Sequence, residues 1–227
     1  VTEQKNHIRY KKYFILFCLL IIFSGCTTGK KIHSDLLESQ VGSYKIAFLG
    51  LISAIPEGKS PTLFSNPLMN TMISAEPVSQ DISNRLSDKL RALIEESRDY
   101  NMVNMEGFQT SGDHKASTLG LNAIKTLAKE ISADIVITGY VYRMQEREGG
   151  EYSAVHPASA AFDIYLIDVK KGTISWSGSY DKTQKSLSEN LLDFKSFLKF
   201  KGKWADVESL ALAGLKELVD DMPILKK

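Results

Sequence analysis

A chain of 227 residues, 43% hydrophobic and 24% charged, has the make-up of a globular protein able to bury a sizeable core. Its 28 basic and 27 acidic residues nearly cancel, and several of the basic ones lie at the extreme N-terminus. That balance leaves no electrostatic footprint for nucleic acid.

The first element in chain order is a basic pair, Lys11-Lys12, followed by an apolar run from Tyr13 to Phe23 and then Ser24-Gly25-Cys26. A charged segment, a short apolar segment and small residues at its end are the physical requirements of a secretory signal. The run is too short to span a bilayer as a mature helix, which takes about 20 residues. It also has no polar face with which a buried helix of a globular protein would meet solvent. An ordinary secretory cleavage region with an incidental thiol stays open as the alternative. The pattern resembles a bacterial lipoprotein signal peptide over residues 1–25, in which the cysteine after the small residue is acylated. The resemblance implies Cys26 as the lipid attachment site, and Thr27 after it implies the periplasmic face of the outer membrane in a Gram-negative bacterium. At about 0.8 kcal/mol per buried methylene, two or more acyl chains make a permanent anchor. Cys18 would leave with the signal and Cys26 would carry the lipid, so no thiol would remain for a disulfide, a metal site or a nucleophile.

Residues 26–43 are polar and small and read as a tether from lipid to domain, reaching about 50–60 Å if fully extended. One periplasmic α/β domain is expected over residues 44–222. It opens with a buried strand at Lys45–Leu51. A long loop at 52–78 follows, punctuated by Pro56, Pro61, Pro67 and Pro77, with Leu63, Phe64, Leu68, Met69, Met72 and Ile73 making it a lid or a partner-binding surface. Helical spacing of Ile82, Leu86, Leu90, Leu93 and Ile94 predicts a helix over 79–97 with Ser79 as N-cap. A strand at Tyr100–Met105 and a helix over 119–132 lead to the strongest strand signal, Asp134–Tyr142. Strands Ala160–Val169 and Thr173–Tyr180 flank the turn Lys170-Lys171-Gly172 as an antiparallel hairpin. Two C-terminal helices are expected, Leu187–Phe200 and Ala205–Asp221, with Pro223 ending the second. The fold class is therefore α/β (α+β): a strand-helix-strand-helix-strand unit plus an antiparallel hairpin in one mixed sheet, with helices packed on it.

The phrases Ala133-Asp134-Ile135-Val136-Ile137-Thr138-Gly139 and Tyr165–Ser177, the latter with Asp168, Gly172 and Trp176, resemble the core of CsgG-like and LpoB-like lipoproteins and the N-terminal domain of TolB. Read physically, Gly139 permits close approach of another backbone, Gly172 supplies a turn conformation, and Trp176 packs a large apolar surface whose N–H needs a partner.

No catalytic, metal or cofactor site is expected. His7, His33, His114 and His156 form no metal-ligand spacing, and the Asp113-His114 pair has no nucleophile in a recognisable motif. The glycines of 107–112 lack the Lys-Ser/Thr of a phosphate loop. Glu146, Glu148 and Glu151 around Gly149-Gly150 are a solvated hairpin tip rather than a glycosidase pair. Two surfaces are candidates for binding a partner: Leu63, Phe64 and Met69 in the long loop, and Phe194, Phe197, Lys199 and Trp204 in a lysine-rich C-terminal stretch. The sequence thus points to a non-enzymatic, lipid-anchored envelope protein: an adaptor or regulator of the LpoB-like kind. A CsgG-like oligomeric secretion component is the alternative. The implied partners are the membrane, through the lipid, and another envelope protein, with a homo-oligomer also open.

Overall fold

The computed structural model describes residues 32–34, 44–97, 100, 102–104, 119–150, 153–184 and 206–223. The signal segment with Cys26 and the stretch 185–205, with its expected first C-terminal helix, lie outside them.

The centre is β2 (Ile46–Ser53), buried at every position, as a strand covered on both faces must be. Beside it run β8 (Ile135–Gln145) and β7 (Met102–Asn104), both parallel to it. On the far side of β8 come β11 (Ser159–Asp168) and β12 (Thr173–Thr183), the expected antiparallel hairpin, followed by the edge strand β1 (Ile32–Ser34). The order of the six-stranded mixed sheet is β1-β12-β11-β8-β2-β7. Helices α1 (Gln80–Ser97), α2 (Leu121–Glu130) and α3 (Val207–Asp221) pack on this sheet. Ser79 caps α1, its Oγ accepting from Ile82 N at 3.4 Å, and Asp206 caps α3, accepting from Ser209 N at 2.6 Å.

Each face of the sheet has its own core. On one, α1 and α3 cover Phe48, Leu51, Ile137, Phe162, Leu166 and Trp176. On the other, α2 and the 52–78 segment cover Leu49, Val136, Tyr140, Tyr142, Tyr165 and Ile167. A bulge in β2 at Gly50, which has φ 79°, turns Leu51 N away from the strand ladder; Ser87 Oγ of α1 accepts it at 2.8 Å, which accounts for a serine buried in the helix interface. Gly139 holds the close approach its sequence position suggested, since a Cβ there would overlap the Asp163 carbonyl oxygen. Gly172 turns the β11–β12 hairpin at φ 70°.

Two stretches depart from expectation. The long loop at 52–78 is largely strand: β3 (Ile55–Pro56) pairs with β6 (Pro77–Val78), and between them β4 (Thr62–Asn66) pairs with β5 (Thr71–Ala75). The prolines stand at strand ends and turns, where a missing N–H costs no ladder bond. The polar stretch read as tether supplies β1, which adds three residues of antiparallel pairing to the sheet edge. A second small hairpin, β9 (Glu148–Gly150) with β10 (Ser153–His156), stands between β8 and β11 in the chain.

Candidate functional site

The β4–β5 hairpin is fixed to the sheet by a buried polar cluster. Its turn, Pro67–Asn70, closes with Asn70 N donating to Asn66 O at 2.9 Å, and Asn70 takes φ 53°, a conformation asparagine tolerates better than most side chains. Asn66, fully buried, accepts at Oδ1 from Leu68 N (2.9 Å) and Met69 N (3.2 Å), which holds the turn. Its Nδ2 donates inward to Tyr142 Oη (2.8 Å) and Tyr165 Oη (2.7 Å). Both hydroxyls in turn donate to one carboxylate oxygen, Asp163 Oδ2, at 2.8 and 2.7 Å. Burial raises the pKa of both phenols well above the ordinary tyrosine value, and the Asp163 charge raises it further, so each keeps the proton it donates. Tyr140 is raised by burial alone. Around the cluster Phe64 packs on Tyr140 and Tyr142, with ring centroids 5.2 and 6.1 Å away.

The chemistry of this cluster is spent internally. Both Asn66 N–H groups, both Asn66 acceptor positions and both phenolic protons are committed to partners within it. What such an arrangement can do is fix a hairpin in place. Isolated two-stranded hairpins are marginal in water, and this one is held by directional bonds as well as by Phe64 and Ala75.

The outer side of the same hairpin is open and sets two apolar side chains among serines. Leu63 stands opposite Ser74 and Met72 opposite Ser65, which sets Leu63 and Met72 diagonally on one face. Both are 61% exposed, and Met69 at the turn is 41% exposed. Of the loop residues expected to meet a partner, Leu63 and Met69 are therefore presented to solvent, while Phe64 faces the core at 8% exposure. Phe194, Phe197, Lys199, Trp204 and Cys26 lie outside the described residues. Sequence reasoning overlooked Asn66, Tyr142, Asp163 and Tyr165. The available signal was Asp163, a lone acid inside an apolar strand.

A cleft of about 150 Å³ lies between α1, the end of β8 and the start of α3. Its charges are already matched: Glu208 meets Arg85 at 3.4 Å and Lys89 at 3.3 Å, and Glu146 Oε1 accepts from Val207 N at 3.4 Å. Glu148 stands 4.0 Å from His156 at the open end of the β9–β10 hairpin, and Glu151 falls outside the described residues. Among the described residues no three His, Cys, Asp or Glu side chains converge as a metal-ligand set, and no helix is long and apolar enough to cross a membrane.

No family model matches this chain, and no curated protein matches it. Solved structures do. The PelC dodecamer of Paraburkholderia phytofirmans is similar at 12% identity, covering 84% of this chain and 95% of that one, with a TM-score of 0.46. Lipoprotein GNA1162 of Neisseria meningitidis is similar at 15% identity, over 70% and 96% of the two chains, with a TM-score of 0.41. The LpoB C-terminal domain of Salmonella enterica is similar at 14% identity, over 66% and 88%, with a TM-score of 0.38. At these identities and scores the likeness settles neither family nor function.

Proposed function

We propose that this protein is a non-enzymatic, lipid-anchored component of a Gram-negative cell envelope, held by acylated Cys26 at the periplasmic face of the outer membrane, and that it binds another envelope protein through the outer face of the β4–β5 hairpin. The observation that carries the binding surface is the pairing of a hairpin locked from beneath by Asn66, Tyr142, Tyr165 and Asp163 with an outer face that leaves Leu63, Met69 and Met72 in water. Exposed apolar side chains on a positioned element lose little further conformational freedom on docking, which is the condition for an economical protein interface. The signal-like N-terminus supports the location, and the two sequence phrases resembling CsgG-like and LpoB-like lipoproteins point the same way. An adaptor of this kind acts by binding one state of its partner more tightly than another.

The test is crosslinking with mass spectrometry in intact cells, comparing the native protein with Cys26→Ala and Met72→Glu, alongside the mass of the N-terminal peptide. Acylated Cys26 and capture of one envelope protein, lost in both variants, is the expected result. Ring-sized homo-oligomers with no heterologous partner would replace the adaptor reading with an assembly component.

A further inference from the structure

Strand β1 lies in the stretch that connects the anchor to the domain, and its register determines how much of that stretch is free. Ile32 stands opposite Gly178, His33 opposite Ser177 and Ser34 opposite Trp176, so β1 runs antiparallel to β12. The N-terminal end of β1 therefore faces the Thr183 end of β12. Ser159 and Gln145 stand at that same end, because Ser159 pairs with both Thr183 and Gln145. The β11–β12 turn at Lys170–Gly172 is at the opposite end.

From this placement we propose that β1 is a leash-shortening clasp: it holds the domain directly against the phospholipid surface carrying the anchor, with the Gln145, Ser159 and Thr183 end toward the bilayer and the Lys170–Gly172 turn away from it. Without β1, residues 27–43 would all be free. With β1 in the sheet, only residues 27–31 separate Cys26 from the domain. The six steps from Cys26 to Ile32 span at most about 20 Å. The stretch of β12 from Gly178 to Thr183 itself occupies about 17 Å at ~3.4 Å per residue. A lipid on Cys26 thus reaches barely past the end of the sheet, which leaves no room for a water layer between bilayer and domain. A flexible chain of five residues has a mean span of about 12 Å and one of 17 residues about 23 Å, so releasing β1 roughly doubles the stand-off. The proposal rests on Cys26 being the anchored residue.

The experiment is specular neutron reflectometry of the native protein on a supported bilayer of phosphatidylethanolamine and phosphatidylglycerol, which reads the distance from headgroups to protein without a label. Two variants accompany it. His33→Pro with Ser34→Pro removes a ladder N–H whichever way the pairing alternates, and a twelve-residue Gly-Ser insertion before Lys31 lengthens the leash while leaving β1 intact. The expected result is protein density in contact with the headgroups in the native chain and an outward shift in both variants. Amine labelling on vesicles should also lose Lys182, near the Thr183 end, while Lys170 and Lys171 label as they do in the Cys26→Ala protein. A native layer already as far out as the insertion variant's overturns the proposal, as does Lys170 protected in place of Lys182. Repeating the measurement with an unacylated chain that begins at Cys26, its single thiol coupled to a maleimide phospholipid, reads the clasp even where cells attach no lipid, so the anchoring reading and this one fail separately.

Discussion

The two faces of the central sheet are closed by different physics. Under α1 and α3 the contacts are mainly apolar, Ser87 with its bond to the β2 backbone being a polar exception, and the largest side chain, Trp176, is 1% exposed with an indole N–H that finds no partner among the described residues. Under the β4–β5 hairpin two tyrosines, an asparagine and an aspartate form a bonded network, with Phe64 and Tyr140 packed beside it. Helices of 18 and 15 residues bring long apolar stripes, and area alone can position them. Strands of five residues bring little area, so directional hydrogen bonds supply the position that burial cannot. One face therefore supplies stability, and the other sets the geometry of the candidate binding surface.

The largest effect that separates the faces is Trp176→Ala, which should destabilise the whole domain by about 3–5 kcal/mol through lost contacts and the cavity left under α3. Chemical denaturation would show one transition shifted to lower denaturant, because β12 belongs to the sheet both faces share. An unshifted transition would mean that the helix face is not the main store of stability. Asn66→Ala should act differently. It strips an inward donor from Tyr142 and Tyr165 and a turn acceptor from Leu68 and Met69, costing about 1–3 kcal/mol. Hydrogen exchange should locate that loss in the amides of 62–75 while those of α3 keep their protection. Equal deprotection of α3 would erase the distinction between the faces.

Alkaline pH sharpens the same contrast. Tyr140, Tyr142 and Tyr165 have folded-state pKa values raised above the unfolded value near 10.0, so their contribution to stability is full below about pH 10. Above that, the unfolded chain sheds phenolic protons that the folded one retains, and stability falls as pH rises. Absorbance at the tyrosinate band should show these three of the nine tyrosines ionising only as the domain unfolds. Their ionisation in a still-folded protein at the ordinary value would show that water reaches the cluster.

The helix face was the more legible one in the sequence, for the same reason that it packs by area. Leu86, Leu90 and Ile94 repeat at helical spacing, and β8 and β11 are near-continuous apolar runs, so α1 and the strands beneath it were read to within a few residues. The hairpin was read as loop because Asn66, a polar residue, occupies an inward position of β4, while Leu63, an apolar one, faces out. That reverses the period-two pattern by which a half-buried strand is recognised. The tyrosines gave no warning either, since an apolar strand can carry a tyrosine for its ring alone. β1 was hidden by its length: three residues in a polar stretch carry no periodicity, and only the edge of β12 gives them a place. Of the candidate site, Leu63 and Met69 were legible as apolar residues in a connecting segment. Their pinning was not, because it depends on Asp163, 97 positions beyond Asn66 in the chain, reached through two phenols.

The smallest effect on stability belongs to the outer face of the hairpin, and it is the one that bears most on function. Met72→Gln and Leu63→Gln replace exposed side chains and should change unfolding free energy by no more than about 0.5 kcal/mol. If the hairpin's inner cluster exists to present this face, each variant should keep the native unfolding curve and native exchange protection at 62–75 while losing crosslinks to the partner. Asn66→Ala should also lose crosslinks, but together with hairpin protection, because it releases the element and leaves Leu63 and Met72 unchanged. The pair of outcomes separates contact from positioning. Crosslinks retained in Met72→Gln and Leu63→Gln yet lost in Asn66→Ala would move the interface off the outer face and onto the turn around Met69.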